Sequence, residues 1–284
     1  MPYLMHITFD NSRRLGRNVY YFEYNGVRFK LIQNHPRKWS DVLLTIVDSR
    51  DSLAEQRVYA AAGEFLSALS WTNSARVALQ HSGGVGIPAG FRLRQAKCRI
   101  FTFPEIPYGG QSIGYGISPI PVIDTNEQRL AMALLREALS SNKSFLSFLF
   151  YWQVMEIGNN DPVGWINKMY YRRPAGIHLL NQDVSALPLG GRRLGEYLQD
   201  DCRHAIAHIR RRPGRRPLMF DVGAEDKRIV VSTRVVEEFA RHYIKKVLGL
   251  GGMMYLVRMR GRGFPVFVDE AHLHGHHCVA AYHT

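Results

Sequence analysis

Arg203, His204 and His208 lie within six residues of one another in DDCRHAIAHIRRRPGRR, residues 200–216. Three outcomes compete for such a set. A guanidinium offers a planar fork of N–H donors that matches phosphate oxygens, and a neighbouring imidazole can move a proton near neutral pH. Two imidazoles at i and i+4 can instead share a metal ion. The plainest outcome is a solvated polar face. On a helix advancing about 100° per residue, Cys202, Ala205, Ile206 and Ile209 fall in one sector roughly 100° wide and should face a core. Arg203, His204, Ala207 and His208 share the remaining surface, where the small Ala207 leaves room for a ligand or a second helix. A metal clip wants a third histidine or a carboxylate nearby, and the adjacent arginines repel a cation. Phosphate chemistry uses those same charges. Arg210, Arg211, Arg212, Arg215 and Arg216 then form a patch that can follow a nucleic-acid backbone. Their alternative use is as a basic helix end, which the helix dipole favours in any protein.

The elements that must position these residues can be read from periodicity. The segment 18–34 has aromatic and β-branched residues on both sides of Asn25-Gly26, which predicts a hairpin. DVLLTIVDS (41–49) is a continuous apolar run suited to a strand covered on both faces. Asp51 or Ser52 can cap a helix from Leu53 to about Ser70, and ARVALQHS and KCRIFTF read as strands around a glycine-rich loop, GGVGIPAG (83–90). Residues 104–123, rich in proline and glycine, suggest a linker. Beyond it the pattern turns helical. Thr125 caps one helix, and Ser144 opens another whose Phe145, Phe148, Leu149, Trp152 and Glu156 form one stripe. Such a stripe is core, and the glutamate is its odd member. Asp161-Pro162 starts a third helix, which ends in Tyr170, Tyr171, Arg172 and Arg173; ordinary packing is expected for the tyrosines. LGEYLQDDCRHAIAHIRRR is the fourth. PLMFDVGAEDKRIVV reads as a short β excursion, with a last helix from Ser232 or Thr233 to about Leu248.

The segment 203–208 resembles the Arg-polar-x-x-x-His signature of HEPN domains, helical modules named for their occurrence in higher eukaryotes and prokaryotes. The aromatic helix ending in a glutamate, placed ahead of the Arg…His helix, fits the same layout. The wider stretch from LGEYLQDDCRHAIAHI through EDKRIVVSTRVVEEFARHYI looks like bacterial proteins described as methylamine-utilisation J-type or as HEPN-containing. The resemblance covers about residues 125–248. It implies a metal-independent endoribonuclease, without cofactor, in which two copies face one another as a homodimer and RNA is the partner. By that resemblance Arg203 stabilises the charge of the attacked phosphate, His208 serves as general base or acid, and His204 orients the phosphate or meets the other subunit. It equally implies an alternative, since many such domains keep the helices and lose catalysis: a non-catalytic accessory or dimerisation protein.

Bulk properties bound these readings. The chain of 284 residues carries 37 Lys and Arg against 24 Asp and Glu, a formal net charge of +13, which favours a polyanionic partner such as nucleic acid. Its three cysteines are too few and too scattered for a disulfide framework, no apolar run reaches membrane-spanning length, and the N-terminus lacks a signal-peptide layout. A cytoplasmic location is expected, with no membrane partner. GGVGIPAG is neither a P-loop nor a dinucleotide fingerprint, and no Gly-x-Ser-x-Gly elbow occurs. His272, His274, His276, His277 and Cys278 have metal-ligand composition, but at no standard spacing, so they are weak candidates only. The expected architecture is α+β. A mixed α/β domain (1–103) and a linker (104–123) precede an all-α HEPN-like bundle with a short β excursion (124–250). An extended His-rich tail (251–284) completes it.

Overall fold

A computed structural model describes residues 1–34, 40–48, 50–98, 117, 119–174, 177–207, 223–258, 264–269 and 279–280. The chain divides into two compact units, one of residues 1–123 with 251–284 and the other of residues 124–250. Strands fill the first and helices the second, so the class is α+β.

The first unit is built from β1 (Pro2–Asn11), β2 (Val19–Tyr24), β3 (Val27–Ile32), β4 (Asp41–Asp48), α1 (Ala54–Asn73), β5 (Val77–Gly86) and β6 (Ile120–Pro121). From the C-terminal part come β7 (Met253–Arg258), β8 (Val266–Asp269) and β9 (Val279–Ala280). The sheet runs β5-β1-β4-β3-β2-β8-β7-β6, with β9 beside β7. The described residues of the C-terminal segment supply β7, β8 and β9 to this sheet. The hairpin forms at Asn25 and Gly26, whose φ of 48° and 73° suit a primed turn. β4 lies between β1 and β3 and is almost wholly buried, which is why its sequence is continuously apolar. The Phe22 and Phe65 rings lie 4.6 Å apart at a 34° tilt where α1 meets the sheet, and Phe267 closes the cluster edge-on against Phe22.

The glycine loop expected at 83–90 is shorter than predicted, because Gly83 to Gly86 continue β5. A Cβ at Gly83 would meet the His6 ring at 2.7 Å, and one at Gly84 the Tyr3 ring at 2.7 Å. Glycine here lets the cross-strand rings lie over the backbone. Of the strand expected in KCRIFTF, Lys97 and Cys98 are irregular, and the rest lies outside the described residues. Most of the proline-rich stretch 104–123 also lies outside them.

Between β1 and β4 the sheet buries a polar knot. Asp41 accepts the Asn34 backbone N–H at 3.0 Å, while Asp10 accepts Ser40 Oγ at 2.9 Å and the Gln80 amide at 2.6 Å. Burial pushes the Asp41 carboxyl up to about 8. The Asn34 hydrogen bond and Arg14 oppose the rise, and the Asp10 charge adds to it. The folded pKa lies above the unfolded value, so the folded state holds a proton that the unfolded chain releases. Stability from this group is full below about pH 4 and declines as pH rises toward 8. Asp41→Asn keeps the acceptor oxygen and removes the titration. The variant is expected to melt roughly 10 °C above wild type at pH 9 and near wild type at pH 4. Calorimetric melts across that range check it, and a constant offset at both ends counts against it.

The second unit contains α2 (Asn126–Ser140), α3 (Ser144–Glu156), α4 (Pro162–Arg172), α5 (Asn181–Ser185), α6 (Leu194–Tyr197), α7 (His204–Ala207) and α8 (Gly223–Lys246). Thr125 and Asp161 cap as their types predict, whereas α1, expected to be capped by Asp51 or Ser52, has Leu53 at its N-cap with no side-chain cap bond. Thr125 Oγ1 accepts the Gln128 N–H at 3.1 Å, and Asp161 accepts that of Gly164 at 2.8 Å ahead of Pro162. The short β excursion is not present where the chain is described. Residues 223–231 are already helical, and residues 217–222 lie outside the described residues. The β-branched run Ile229-Val230-Val231 suggested a strand. Burial of Ile229, Thr233, Val236, Ala240 and Tyr243 at steps of three and four shows the helical stripe that overrides it.

Candidate functional site

α6, a six-residue π turn (Leu198–Arg203) and α7 form one continuous rod from Leu194 to Ala207. Its start is fixed by contact with α4. Gly195 donates its N–H to Asn167 Oδ1 at 2.8 Å, and a Cβ there would meet the Val163 carbonyl oxygen at 2.5 Å. Only glycine lets the two backbones approach this closely.

The π turn displaces carbonyls from the regular i to i+4 ladder, and α8 supplies a donor in exchange. Arg228 reaches across to donate to the Asp201 carbonyl oxygen at 3.2 Å, to Tyr197 Oη at 3.1 Å and to Cys202 Sγ at 3.5 Å, and its other nitrogen meets Glu225 at 2.7 Å. Burial alone would lower the pKa of Arg228, but the bonds to Tyr197 and Glu225 carry it above its ordinary value. Burial, with Cys202 alongside, pushes Tyr197 up to about 12 against the opposing pull of Arg228. Cys202 is raised chiefly by burial, remains a thiol at neutral pH, and donates to Ser232 Oγ at 3.4 Å. Outside this network, Arg192 forms an ion pair with Asp201 and lies over the Tyr197 ring at 5.4 Å.

Arg203 closes the π turn and points to α3. Its guanidinium donates to Glu156 Oε1 at 3.2 Å, and the same oxygen accepts the Trp152 indole N–H at 2.8 Å. Trp152 is buried and stacks on Phe148 at 6.1 Å, so it fixes the carboxylate from the core side. The Arg203 side chain stays 30 % exposed. A guanidinium is thereby held in one place with solvent access, the arrangement an incoming oxyanion needs. The unexplained glutamate at the end of the aromatic stripe is the residue that holds the arginine. Its place one turn after a tryptophan, at i+4, was the signal available in the sequence.

His204 Nδ1 lies 3.7 Å from Asp200 Oδ1, one turn back on the rod. Cys202 is buried as expected, whereas Ala205 and Ile206 are half-buried, and Ala207 is exposed as the wheel requires. His208 and Arg210, Arg211, Arg212, Arg215 and Arg216 lie outside the described residues, as do Ile209 and the histidine-rich residues 272, 274, 276 and 277 with Cys278. Among the described residues no group of three or more His, Cys, Asp or Glu could hold a metal ion, and no helix is long and apolar enough to cross a membrane. Packing was expected for the tyrosines of α4, but Tyr171 is 88 % exposed beside Arg172 and Arg173.

No curated protein and no solved structure matches the chain. Residues 131–245, which run from within α2 to near the end of α8 and include the whole Trp152–Glu156–Arg203 arrangement, match the family model described as methylamine utilization protein MauJ.

Proposed function

We propose that the helical unit binds RNA and cleaves it without a metal ion, with Arg203 as the phosphate ligand and His208 as the group that moves the proton. The observation that carries this reading is the half-exposed guanidinium held by Glu156, itself held by Trp152. In the reaction His208 takes the proton of a ribose 2′-OH, and the oxygen attacks the adjacent phosphorus. The 5′-oxygen then leaves with the proton that His208 took, returned directly or through water, giving a 2′,3′-cyclic phosphate and a 5′-hydroxyl end. Arg203 pairs with the extra negative charge that builds on the non-bridging oxygens. His204 orients the phosphate or meets a second copy of the rod. The formal charge of +13 supports a polyanionic substrate, and Arg210, Arg211, Arg212, Arg215 and Arg216 extend the contact along the strand.

The second reading is a non-catalytic accessory or dimerisation protein with the same helices, and the matched family, described as methylamine utilization protein MauJ, is compatible with it. One assay separates the two. Single-stranded RNA incubated with the purified protein in EDTA is expected to yield cyclic-phosphate ends, and Arg203→Ala and His208→Ala each to lower the rate by about 10²–10⁴-fold with the native melting curve retained. RNA left intact by the wild-type protein under all these conditions would leave the accessory reading standing.

A further inference from the structure

β5 ends the sheet of the first unit and has β1 as its one strand partner among the described residues. The register sets His6 opposite Gly83 and Thr8 opposite His81. Side chains alternate between the two faces of a strand, so His6, Thr8, His81 and Gly83 share one face. Beyond Thr8 the pairing slips to Phe9 opposite Leu79, which leaves Gln80 as the extra residue of a bulge. Thr8 fastens the chain beside that bulge. Its hydroxyl donates to the His81 carbonyl oxygen at 2.9 Å and accepts the His81 N–H at 3.1 Å. The backbone that presents His81 is thus tied to the strand that presents His6.

The two imidazoles converge over Gly83. Their ring centres are 5.8 Å apart, with the planes tilted by 51°. Measured from the place a Cβ would take on Gly83, His6 Nε2 lies at 3.0 Å and His81 Nε2 at 3.6 Å. Glycine therefore leaves open a space that both nitrogens border. Among the described residues neither ring has a hydrogen bond or an ion pair. His81 is exposed and His6 half-buried, so the space meets solvent. Burial, with His81 alongside, holds the His6 imidazole below its ordinary pKa. It is therefore neutral at physiological pH, the form that offers a lone pair to a metal.

We propose that His6 and His81 chelate a late first-row divalent ion, zinc or copper(II), across the β1–β5 pair through their Nε2 atoms. An ion about 2.0–2.1 Å from each nitrogen sets tetrahedrally bound ring centres about 5.2 Å apart, and wider bond angles set them farther. The observed 5.8 Å is close enough to be met by small turns of the two rings. Imidazole suits zinc and copper(II), whereas magnesium and calcium call for oxygen ligands. Two imidazoles leave coordination positions to water, so the bound ion stays open to an outside ligand. The ion also clips the last strand of the sheet to its neighbour, and binding stabilises the folded unit by mass action. The site belongs to the first unit and takes no part in the metal-independent cleavage proposed for the second, so either proposal can fail alone.

The test is calorimetric titration of the full-length protein carrying His272→Ser, His274→Ser, His276→Ser and His277→Ser, which removes four competing imidazoles. Zinc and copper(II) are each expected to bind with a Kd below about 0.1 mM, copper(II) the tighter, and magnesium and calcium at least about a hundredfold more weakly. His6→Gln and His81→Gln, each added to this parent, should each remove one equivalent of that binding by weakening it about tenfold or more. Gly83→Ala, which places a methyl group beside both nitrogens, should weaken it as well. Zinc should raise the melting temperature of the parent and leave those of the two glutamine variants in place, and melts in EDTA check that the variants stay folded. The inference is overturned if neither metal binds with a Kd below about 0.1 mM. It is equally overturned if the glutamine variants bind as much ion as the parent, or if only one of the two loses it.

Discussion

Under the proposed function, Arg203→Lys is expected to slow RNA cleavage by about 10²–10³-fold while shifting the melting temperature by no more than a degree or two. The substitution keeps the positive charge, so a purely electrostatic role predicts little change. The proposed reaction requires more than charge. Arg203 must direct one nitrogen to Glu156 at 3.2 Å and still present donors to a phosphate. A planar fork does both, whereas an ammonium is a single point charge. Glu156→Gln supplies the complementary measurement. Glu156 Oε1 accepts from both Trp152 and Arg203, and an amide oxygen can do the same, so the geometry survives and only the negative charge is lost. Its expected cost is about tenfold, well short of the lysine variant. Equal rates for Arg203→Lys and wild type would remove the guanidinium from the chemistry.

The second large effect falls on stability. Arg228→Met fills the space of the arginine stem but withdraws the donors that serve Tyr197, the Asp201 carbonyl and Cys202. Each buried oxygen left without its partner costs about 1–3 kcal/mol, which for a unit of this size is a fall of roughly 10 °C in melting temperature. Glu225, the more exposed partner of Arg228, is the control: Glu225→Gln should change stability by less than about 1 kcal/mol. A melt of Arg228→Met that overlays wild type would mean that the π turn is held by its own packing.

The sequence made local features legible and left long-range ones hidden. Thr125 and Asp161 announced their helices because a cap is a contact within three residues. Asn25-Gly26 announced its hairpin for a similar reason. The pairing of β8 with β2 could not be read, since it joins residues more than two hundred positions apart through a register of one residue, Glu23 with Val266. The helical wheel succeeded at Cys202 and was loose at Ala205 and Ile206, which are only half-buried. A wheel assumes 3.6 residues per turn, and the π turn over Leu198–Arg203 breaks that assumption just before Arg203. Its support, Arg228, sits in a segment that the β-branched run Ile229-Val230-Val231 disguised as a strand. Glu156 was visible as an anomaly, and only three dimensions gave it a partner.

The pairing of Pro121 with Met253 places the chain's departure from the sheet next to its return. The backbone N–H of Val122 even donates to Gly252 at 2.9 Å, so residues 124–250 hang as a guest from two adjacent tethers. Host and guest therefore differ in how they tolerate cutting. A stop codon at position 251 amputates strands of the host sheet, whereas excising the guest and rejoining its tethers with a tight bend leaves the host's hydrogen-bond ladder whole.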